Sequence, residues 1–409
     1  MAAKNELLQP PTKFSATFEP LIESPNPEHF LLMCDDPGAC YSLRHLVNPL
    51  TDRGHIVHIS AYEQSASLAA NKYERGVRLL DNVPLPTDLT VLLAGSHAPD
   101  QHLIPELLRL SKDHLLTIKV IEDYPLAAKS LIQCLVAAGM APSAIIAATV
   151  DSASEYSRLQ AAESWGVDPS AINHAGNLDF TEIFHFAEAE HLPETHRSLR
   201  QRHNISRDHD HVIGYFGAPQ GDYEIEGNNL EILTLLATLE AVSNIASGRE
   251  EEQYHLFIAP HKRNPTGYAE FILNNLQGLP DNLAVKILDS DIESVQAGAN
   301  MDVVVAINST ILHRFALMVE LLSGMYLQGE IPSVVQFLNT KDYPHHIKHD
   351  PSPAEAKLVH VASSQAELEK VILHTLTTPR ESLVDDHRSL TTILGWDQNP
   401  LDKVLELLS

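Results

Sequence analysis

Basic side chains are scarce in this sequence. Its 409 residues include 28 lysines and arginines against 54 aspartates and glutamates, which gives a net charge of −26 at pH 7. No basic stretch is long enough to offset this charge locally. Nucleic acid and anionic membrane surfaces bind proteins through lysine and arginine, so both are excluded as expected partners.

Cysteines and long apolar runs are also few. The three cysteines, Cys34, Cys40 and Cys134, are too widely spaced for a disulfide framework or a paired metal site, so we expect free thiols. No apolar run approaches the roughly 20 residues that cross a bilayer, and the first residues lack the apolar segment of a signal peptide. We therefore expect a cytoplasmic protein without a transmembrane segment.

Short apolar runs alternate with stretches of helical periodicity along most of the chain. Such an alternation is typical of parallel sheets whose strands are joined by right-handed helical crossovers. The predicted strands of the first half are residues 29–34, 55–59, 77–80, 89–94, 115–121 and 144–148. Those of the second half are residues 212–217, 255–259, 283–288, 303–307 and 332–337.

The expected fold class is α/β, with two doubly wound Rossmann-like domains facing a central cleft. The length of the chain suits two or three domains. Prolines concentrate before residue 28 and favour an extended segment there. The expected divisions are a lead-in at 1–28, an N-terminal α/β domain at 29–180, a linker helix at 181–210, a C-terminal α/β domain at 211–363 and a helical tail at 364–409.

The element around residues 302–318 is the strongest local pattern. An unbroken apolar run at 303–307 predicts a buried parallel strand, and the apolar residues from Ile311 onward recur at helical spacing. Between them, Asn308, Ser309 and Thr310 place hydroxyl groups and free backbone N–H groups at a positive helix end, where phosphate binds well. The alternative is that Ser309 and Thr310 only cap the helix.

Five stretches, in chain order, resemble the GT-B nucleotide-sugar superfamily, which includes two-domain glycosyltransferases and the UDP-N-acetylglucosamine 2-epimerases. They are DDPGA at 35–39, PSAINHAGNLDF at 169–180, the residues from Arg197 to the strand VIGYFGAP, HKRNP at 261–265, and the element at 302–318. The resemblance covers about residues 30–340. It implies a nucleotide-sugar donor in the C-terminal domain and an acceptor in the N-terminal domain.

One position departs from the resemblance. Many members carry a glutamate in the helix after the 303–307 strand that hydrogen-bonds the nucleotide ribose, whereas this chain has His313-Arg314-Phe315. A different nucleotide, a phosphorylated ligand or a loss of activity would each account for the change.

The expected donor-binding residues are those that can neutralise a departing diphosphate. Ser309 and Thr310 supply hydroxyl groups, Asn308 lies beside them, and His261 and Lys262 form a cationic turn after a predicted strand. That turn has an alternative interpretation as an exposed basic loop. Gly217, at the end of another strand, is expected to let the backbone run close to a ligand or to the opposing domain.

The catalytic base is sought among loops that follow strands of the N-terminal half. Asp36 and His97 are the favoured candidates. The 2-epimerases have a strand-end glutamate where this chain has Glu122, although the following Asp123-Tyr124-Pro125 differs from their sequence. Asp35 or Asp36 can equally serve only as a helix cap, and His97 only as a loop residue.

The expected function is glycosyl transfer from a nucleotide-sugar donor to an acceptor that the sequence does not identify. The alternatives are a nucleotide-sugar 2-epimerase and a non-catalytic scaffold or regulator that keeps the fold. No cofactor is expected, and no metal either, because no pair of carboxylates in a D-x-D arrangement is placed at a plausible donor site. The apolar helix near residues 401–408 packs within the monomer or against a second copy in a homo-oligomer.

Overall fold

The structure is a computed structural model in which two compact units divide the chain. The first unit is Met1–Glu182 with Leu394–Ser409, and the second is Ile183–Ile393. The residues that the structure describes are 13–18, 20, 26–62, 84–94, 101–123, 127–192, 198–206, 210–217, 224–225, 228–261, 273–274, 278–289, 292, 294–307, 310–337, 357–383, 389–396 and 398–408.

The helices of the described residues are labelled in chain order. They are α1 (Pro37–Arg44), α2 (Val47–Asp52), α3 (Leu103–Leu110), α4 (Lys129–Ala137), α5 (Val150–Glu163), α6 (Thr181–Ala189), α7 (Ser198–Arg202), α8 (Leu230–Ser247), α9 (Ser294–Gly298), α10 (Thr310–Leu321), α11 (Ser323–Leu327), α12 (Gln365–Thr377), α13 (Leu390–Leu394) and α14 (Pro400–Leu408). None of the helices so described combines the length and apolar character of a bilayer-crossing segment.

The first unit contains a seven-stranded sheet within its described residues. Its strands are β1 (Lys13–Phe18), β2 (His29–Cys34), β3 (Ile56–Tyr62), β4 (Asp88–Ala94), β5 (Leu115–Ile121), β6 (Ala144–Ala147) and β7 (Ile172–His174). The spatial order is β1-β3-β2-β4-β5-β6-β7, and every pair is parallel except β1 with β3. Apolar cores lie on both faces, as a parallel sheet requires.

The second unit contains a six-stranded parallel sheet within its described residues. Its strands are β8 (Asp210–Phe216), β11 (Gln253–Ala259), β12 (Leu283–Ile287), β13 (Val303–Ala306), β14 (Ser333–Phe337) and β15 (His360–Ala362), in the order β12-β11-β8-β13-β14-β15. A separate two-stranded ladder joins β9 (Glu224–Ile225) to β10 (Asn228–Asn229). One core lies between the six-stranded sheet and helices α8 and α12.

The predicted α/β class and most of the predicted strands are confirmed. The bounds agree to the residue at 29–34 and 115–121, and within two or three residues elsewhere. The predicted strand at 77–80 lies outside the described residues. The three cysteines are free, also as predicted.

Residues 13–18 differ from expectation. They lie inside the predicted lead-in, yet they form strand β1 and pair with β3 along its whole length. The prolines that suggested an unpaired segment flank this strand rather than interrupt it, so the backbone donors needed for pairing are present. Phe18 is fully buried in the core, which stabilises the strand at the sheet edge.

The C-terminal residues also differ from a single helical tail. Helix α12 belongs to the second unit, whereas α14 belongs to the first. Leu401, Val404, Leu405 and Leu408 of α14 enter the core of the first unit. The sequence left two possibilities for this apolar helix, packing within the monomer or against a second copy. The structure shows it packed within the monomer.

A pair of histidines, of which His58 is buried, links β1, β3 and β2. His58 Nδ1 lies 3.0 Å from Thr17 Oγ1, and His58 Nε2 lies 3.0 Å from His29 Nδ1. His58 is only 4% exposed. Burial, together with the neighbouring His29, lowers the pKa of His58 to about 4. Burial also lowers the pKa of His29, so the neutral form is favoured in both rings.

The histidine pair predicts a loss of stability in mild acid. An unfolded histidine binds a proton below pH 6.5, but folded His58 does so only near pH 4. Stability is therefore lost as the pH falls through this window, by about 1–2 kcal/mol at pH 5. Urea unfolding at pH 7 and pH 5 measures the loss. We expect His58→Gln to flatten the dependence, whereas His185→Gln, at an exposed position on α6, keeps it. An equal pH dependence in all three proteins would contradict the assignment.

Candidate functional site

The strand order of the second sheet determines which strand ends are neighbours at its carboxyl edge. β8 is central, with β11 on one side and β13 on the other. The chain fills the β11 side first and then crosses to β13, so the direction of winding reverses between β8 and β13. In open parallel sheets, ligands bind outside the carboxyl ends of the strands at such a reversal.

Helix α10 begins at this reversal. β13 is buried along its whole length, and α10 starts four residues after its end. Phe315 of α10 is fully buried, packs edge-on against Phe216 at the end of β8, and occupies the space that a Cβ on Gly298 would need. These contacts hold the helix against the sheet, with the positive end of its dipole at the carboxyl edge.

The predicted apolar face of this helix is confirmed. Ile311, Leu312, Phe315, Ala316, Val319 and Leu322 are all less than 9% exposed. The strand residues from Val303 to Ile307 are at most 1% exposed, as predicted for a strand buried on both faces. Packing of these residues is what directs the start of α10 toward the edge.

Gly217 follows β8 directly, and its surroundings explain why it is glycine. Its N–H donates to the carbonyl of Ala259 at 2.9 Å, so the backbone continues the ladder to the end of β11. A Cβ at this position would overlap Glu231 Oε1 and lie 3.2 Å from the backbone nitrogen of His261. The close neighbours of Gly217 within this unit are therefore Glu231 and His261.

Glu231 is a member of this edge that the sequence reasoning missed. It lies in the first turn of α8 and is 1% exposed. Its Oε2 accepts a hydrogen bond of 2.8 Å from the Tyr215 hydroxyl. An acid in the first turn of helix α8 was the available signal, since the helix dipole favours a carboxylate there.

The predicted donor-binding residues are only partly within the described residues. Gly217 and His261 lie at the ends of adjacent strands, and Thr310 is the first residue of α10. Asn308, Ser309 and Lys262 lie outside the described residues. The three described positions follow β8, β11 and β13, which are neighbours at one edge.

The carboxyl edge of the first sheet has the same kind of reversal, between β2 and β4. β2 ends at Cys34 and is followed by Asp35 and Asp36. Asp36 Oδ1 accepts the backbone N–H of Ala39 at 2.9 Å, so Asp36 caps helix α1. The capping alternative is therefore observed, and a catalytic role of Asp36 stays a prediction. His97, in the segment after β4, lies outside the described residues.

Glu122 follows β5 and is almost fully buried, at 1% exposed. Its Oε2 accepts the backbone N–H of Ala148 at 2.8 Å, and its Oε1 accepts the hydroxyl of buried Tyr156. The carbonyl of Ala148 in turn accepts the indole N–H of Trp396 at 2.7 Å. Glu122 thus joins the ends of β5 and β6 to helix α5. Both of its carboxyl oxygens accept hydrogen bonds that hold these elements together.

Asp123, the next residue, has different surroundings. It is half-buried, and its carbonyl accepts a hydrogen bond from the Asn177 side-chain amide. A Cβ on Gly38 of α1 would lie 3.0 Å from Asp123 Oδ2 and 3.2 Å from Asp36 Oδ1, so both carboxyl groups lie against the same short stretch of backbone. Burial raises the pKa of Asp123 well above its usual range, and the nearby carboxylates of Asp36, Asp179 and Glu122 raise it further.

Metal ligation is not suggested by the described residues. Within the ranges given above, no three His, Cys, Asp or Glu side chains converge as ligands.

Comparisons with known proteins identify the fold. Neither a family model nor a curated protein matches the sequence. The UDP-GlcNAc 2-epimerase of Neisseria meningitidis, solved bound to UDP-GlcNAc, matches at 11% identity and a TM-score of 0.59, over 93% of this chain and 99% of that one. The UDP-GlcNAc 2-epimerase of Methanocaldococcus jannaschii matches at 11% and 0.58, with the same coverage.

A UDP-forming α,α-trehalose-phosphate synthase of Burkholderia xenovorans also matches, at 9% identity and a TM-score of 0.53, over 93% of this chain and 98% of that one. At such low identity these likenesses show the fold alone. The chain has the α/β fold with two mostly parallel sheets that GT-B proteins share, as its sequence predicts.

Replacing Gly217 tests the tight packing at the second edge. Gly217→Ala forces Glu231 to move, and we expect a loss of about 1–3 kcal/mol in the free energy of unfolding. Gly324→Ala is the matched control, because nothing lies within 4 Å of the added Cβ in helix α11. There we expect no loss, and a gain of up to about 1 kcal/mol from helix propensity. Equal effects of the two substitutions would contradict the proposed packing.

Replacing Glu122 tests its structural role. Glutamine has one accepting oxygen, so in Glu122→Gln either the Ala148 N–H or the Tyr156 hydroxyl loses the oxygen to which it donates. We expect a loss of about 1–3 kcal/mol in the free energy of unfolding. A double-mutant cycle with Tyr156→Phe measures the coupling. Additive effects in that cycle would mean that the two side chains act independently.

Proposed function

We propose that this protein is a nucleotide-sugar enzyme that transfers a sugar from a nucleotide-sugar donor to an acceptor. The observation that carries the proposal is the start of α10 at the carboxyl edge of the second sheet, between β8 and β13. A helix N-terminus at the reversal point of a parallel sheet is a favourable position for a diphosphate. The likeness to a structure bound to UDP-GlcNAc supports the same assignment.

In this proposal the donor-binding residues surround the diphosphate. Ser309, Thr310 and Asn308 supply polar groups at the start of α10, and His261 and Lys262 supply positive charge after β11. Gly217 keeps the end of β8 free of side-chain atoms, as its contact with the His261 backbone requires. These groups stabilise the negative charge that grows on the diphosphate as it leaves.

The proposed reaction is a direct displacement at the anomeric carbon. A general base takes the proton of the acceptor hydroxyl as its oxygen bonds to the anomeric carbon. The bond from that carbon to the diphosphate breaks, and its electron pair stays on the diphosphate. No metal ion is needed in this scheme, because the cationic and helix-end groups carry the charge stabilisation.

A second candidate is a nucleotide-sugar 2-epimerase. The structural likeness to two UDP-GlcNAc 2-epimerases, at TM-scores of 0.59 and 0.58, favours it. The burial of Glu122, which matches their strand-end glutamate in position, weighs against it, because that side chain is engaged by Ala148 and Tyr156. The two candidates share the donor site and differ in their need for an acceptor.

Nucleotide binding tests the donor site. We expect UDP to bind the wild-type protein in a calorimetric titration, and Ser309→Ala with Thr310→Ala to weaken it by about tenfold or more, since about 1.4 kcal/mol of lost interaction has that effect. Ser323→Ala, at an exposed position on α11, is the control and should leave the affinity unchanged. Unchanged affinity in the double variant would remove the proposed site. Failure of UDP and other nucleoside diphosphates to bind wild-type protein would favour a non-catalytic role.

Turnover without an acceptor separates the two enzymatic candidates. Under the transferase proposal, UDP-GlcNAc incubated alone with the protein should give no 2-epimer, since the reaction needs an acceptor hydroxyl. Proton NMR of the sugar ring follows the reaction. Formation of a 2-epimer from UDP-GlcNAc alone would contradict the transferase proposal and support the epimerase.

A further inference from the structure

A group of basic side chains lies at the amino edge of the second sheet, the edge opposite the proposed donor site. β13, β14 and β15 are parallel neighbours, so their amino ends meet there. Arg380 joins two of these ends. Its Nη1 donates to Ser333 Oγ of β14 at 2.6 Å, and its Nη2 donates to the carbonyl of Asp302, just before β13, at 2.9 Å. Its guanidinium also lies over the Tyr326 ring, 5.1 Å from the centroid.

The partners of Arg380 are all uncharged groups. In the part of the chain that the structure describes, this arginine forms no ion pair with a carboxylate. The carboxylate of Asp302 pairs with Arg200 instead, at 2.9 Å. Glu381, the next residue, is exposed and forms no such pair among the described residues either. An anion from solvent that bound nearby would therefore supply a counter-charge that this edge lacks.

His360, the first residue of β15, belongs to the same group of basic side chains. Within the described residues it makes no hydrogen bond, and neither of its ring nitrogens is enclosed by the protein. Burial lowers the pKa of His360, and the neighbouring His374 and Arg380 lower it further. The charged neighbours that act on this ring are therefore basic groups. A neutral imidazole keeps one N–H donor, which a ligand can reach from the solvent side.

His360 and Lys357 line a small cleft in this part of the second unit. The empty space of the cleft is about 290 Å³, which includes the part that opens to solvent. Its other walls are apolar or aromatic and consist of Val319, Tyr326, Val334, Leu358 and Leu383. Lys357 is exposed and adopts a φ of 58°, in the left-handed region that residues other than glycine rarely occupy. Backbone strain of this kind is concentrated at sites that hold ligands.

We propose that this cleft binds a phosphate group, which Lys357 and His360 contact directly. Arg380 does not line the cleft, but it stacks on Tyr326, which does, and its charge adds to the attraction. Charge-assisted hydrogen bonds suit phosphate, and partly buried charges are screened by salt less than exposed ones. The small cleft admits phosphate itself or the phosphate end of a larger molecule. All of its residues belong to the second unit, and the inference does not depend on the proposed function.

Calorimetric titration tests the cleft. The probes are inorganic phosphate and phenyl phosphate, with sodium chloride at the same ionic strength as the blank and UDP present to occupy the proposed donor site. The variants are His360→Gln and Lys357→Asn, since asparagine tolerates the left-handed conformation. The matched control is Lys370→Gln, at an exposed position on α12 that does not line the cleft.

We expect wild-type protein to bind at least one of the two phosphates above the chloride blank. Each cleft variant should weaken this binding by about tenfold or more, because it loses a hydrogen bond to a charged group. Lys370→Gln, and the double variant Ser309→Ala with Thr310→Ala, should bind as wild type does. Tighter binding of phenyl phosphate would identify the ligand as an organic phosphate, and equal or weaker binding would identify it as free phosphate.

Three outcomes would contradict the inference. One is wild-type protein that binds neither phosphate above the blank. Another is binding that disappears with UDP or in the Ser309→Ala, Thr310→Ala variant, which would assign the phosphate to the donor edge and support the proposed function instead. The third is unchanged binding in Lys357→Asn and His360→Gln, or a loss that Lys370→Gln shares. Wild-type protein that binds phosphate in the cleft but no UDP contradicts the proposed function alone.

Discussion

Parallel pairing of β8 with β11 and β13 is the constraint on which the second unit depends. Parallel strands require crossovers, and the carboxyl ends of neighbouring strands therefore meet at one edge. Gly217, His261 and the start of α10 are far apart in the chain, yet they follow three adjacent strands. Phe315, packed between Phe216 and the backbone at Gly298, holds the helix in this orientation. The proposed donor site is a consequence of that packing.

Glu122 and Asp123, the two acids after β5, differ in their burial and in their hydrogen bonds. Glu122 and Asp123 are neighbours in sequence and carry the same functional group. Glu122 turns into the unit, where a backbone N–H and a tyrosine hydroxyl compensate its desolvation. Asp123 turns toward the end of β2, where the nearby groups are other carboxyls. The first arrangement gives both carboxyl oxygens a hydrogen-bond donor, and the second raises the pKa of Asp123.

How much of this could be predicted from the sequence depends on how local each signal is. The strands at 29–34, 115–121 and 303–306 were predictable because each is a short and mostly apolar run that is too brief for a helix. Strand β1 was not predicted, because the prolines that flank it favoured an extended segment, although the alternation of polar and apolar side chains along it is a strand signal. Strands β7 and β15 are three residues long, too short to leave a periodic pattern.

Site residues were harder to predict than strands for a physical reason. Asp36 was found from its place after a strand, but only the tertiary structure shows that its oxygen accepts the Ala39 N–H. Glu231 was missed, since its relation to Gly217 and Tyr215 depends on how α8 packs over β8. Such contacts join residues that no sequence window contains together.

The sequence by itself determined the alternation of strands and helices, the α/β class, the buried face of α10 and the excess of negative charge. These follow from residue types and their spacing along one chain. Only the tertiary structure decided which strand ends are neighbours, which of two adjacent carboxyl groups is engaged internally, and where the C-terminal helix packs. These features depend on strand order and on contacts between side chains that are far apart in the sequence. Such contacts form only when the units fold, so their stabilising free energy has no signal in a short stretch of sequence.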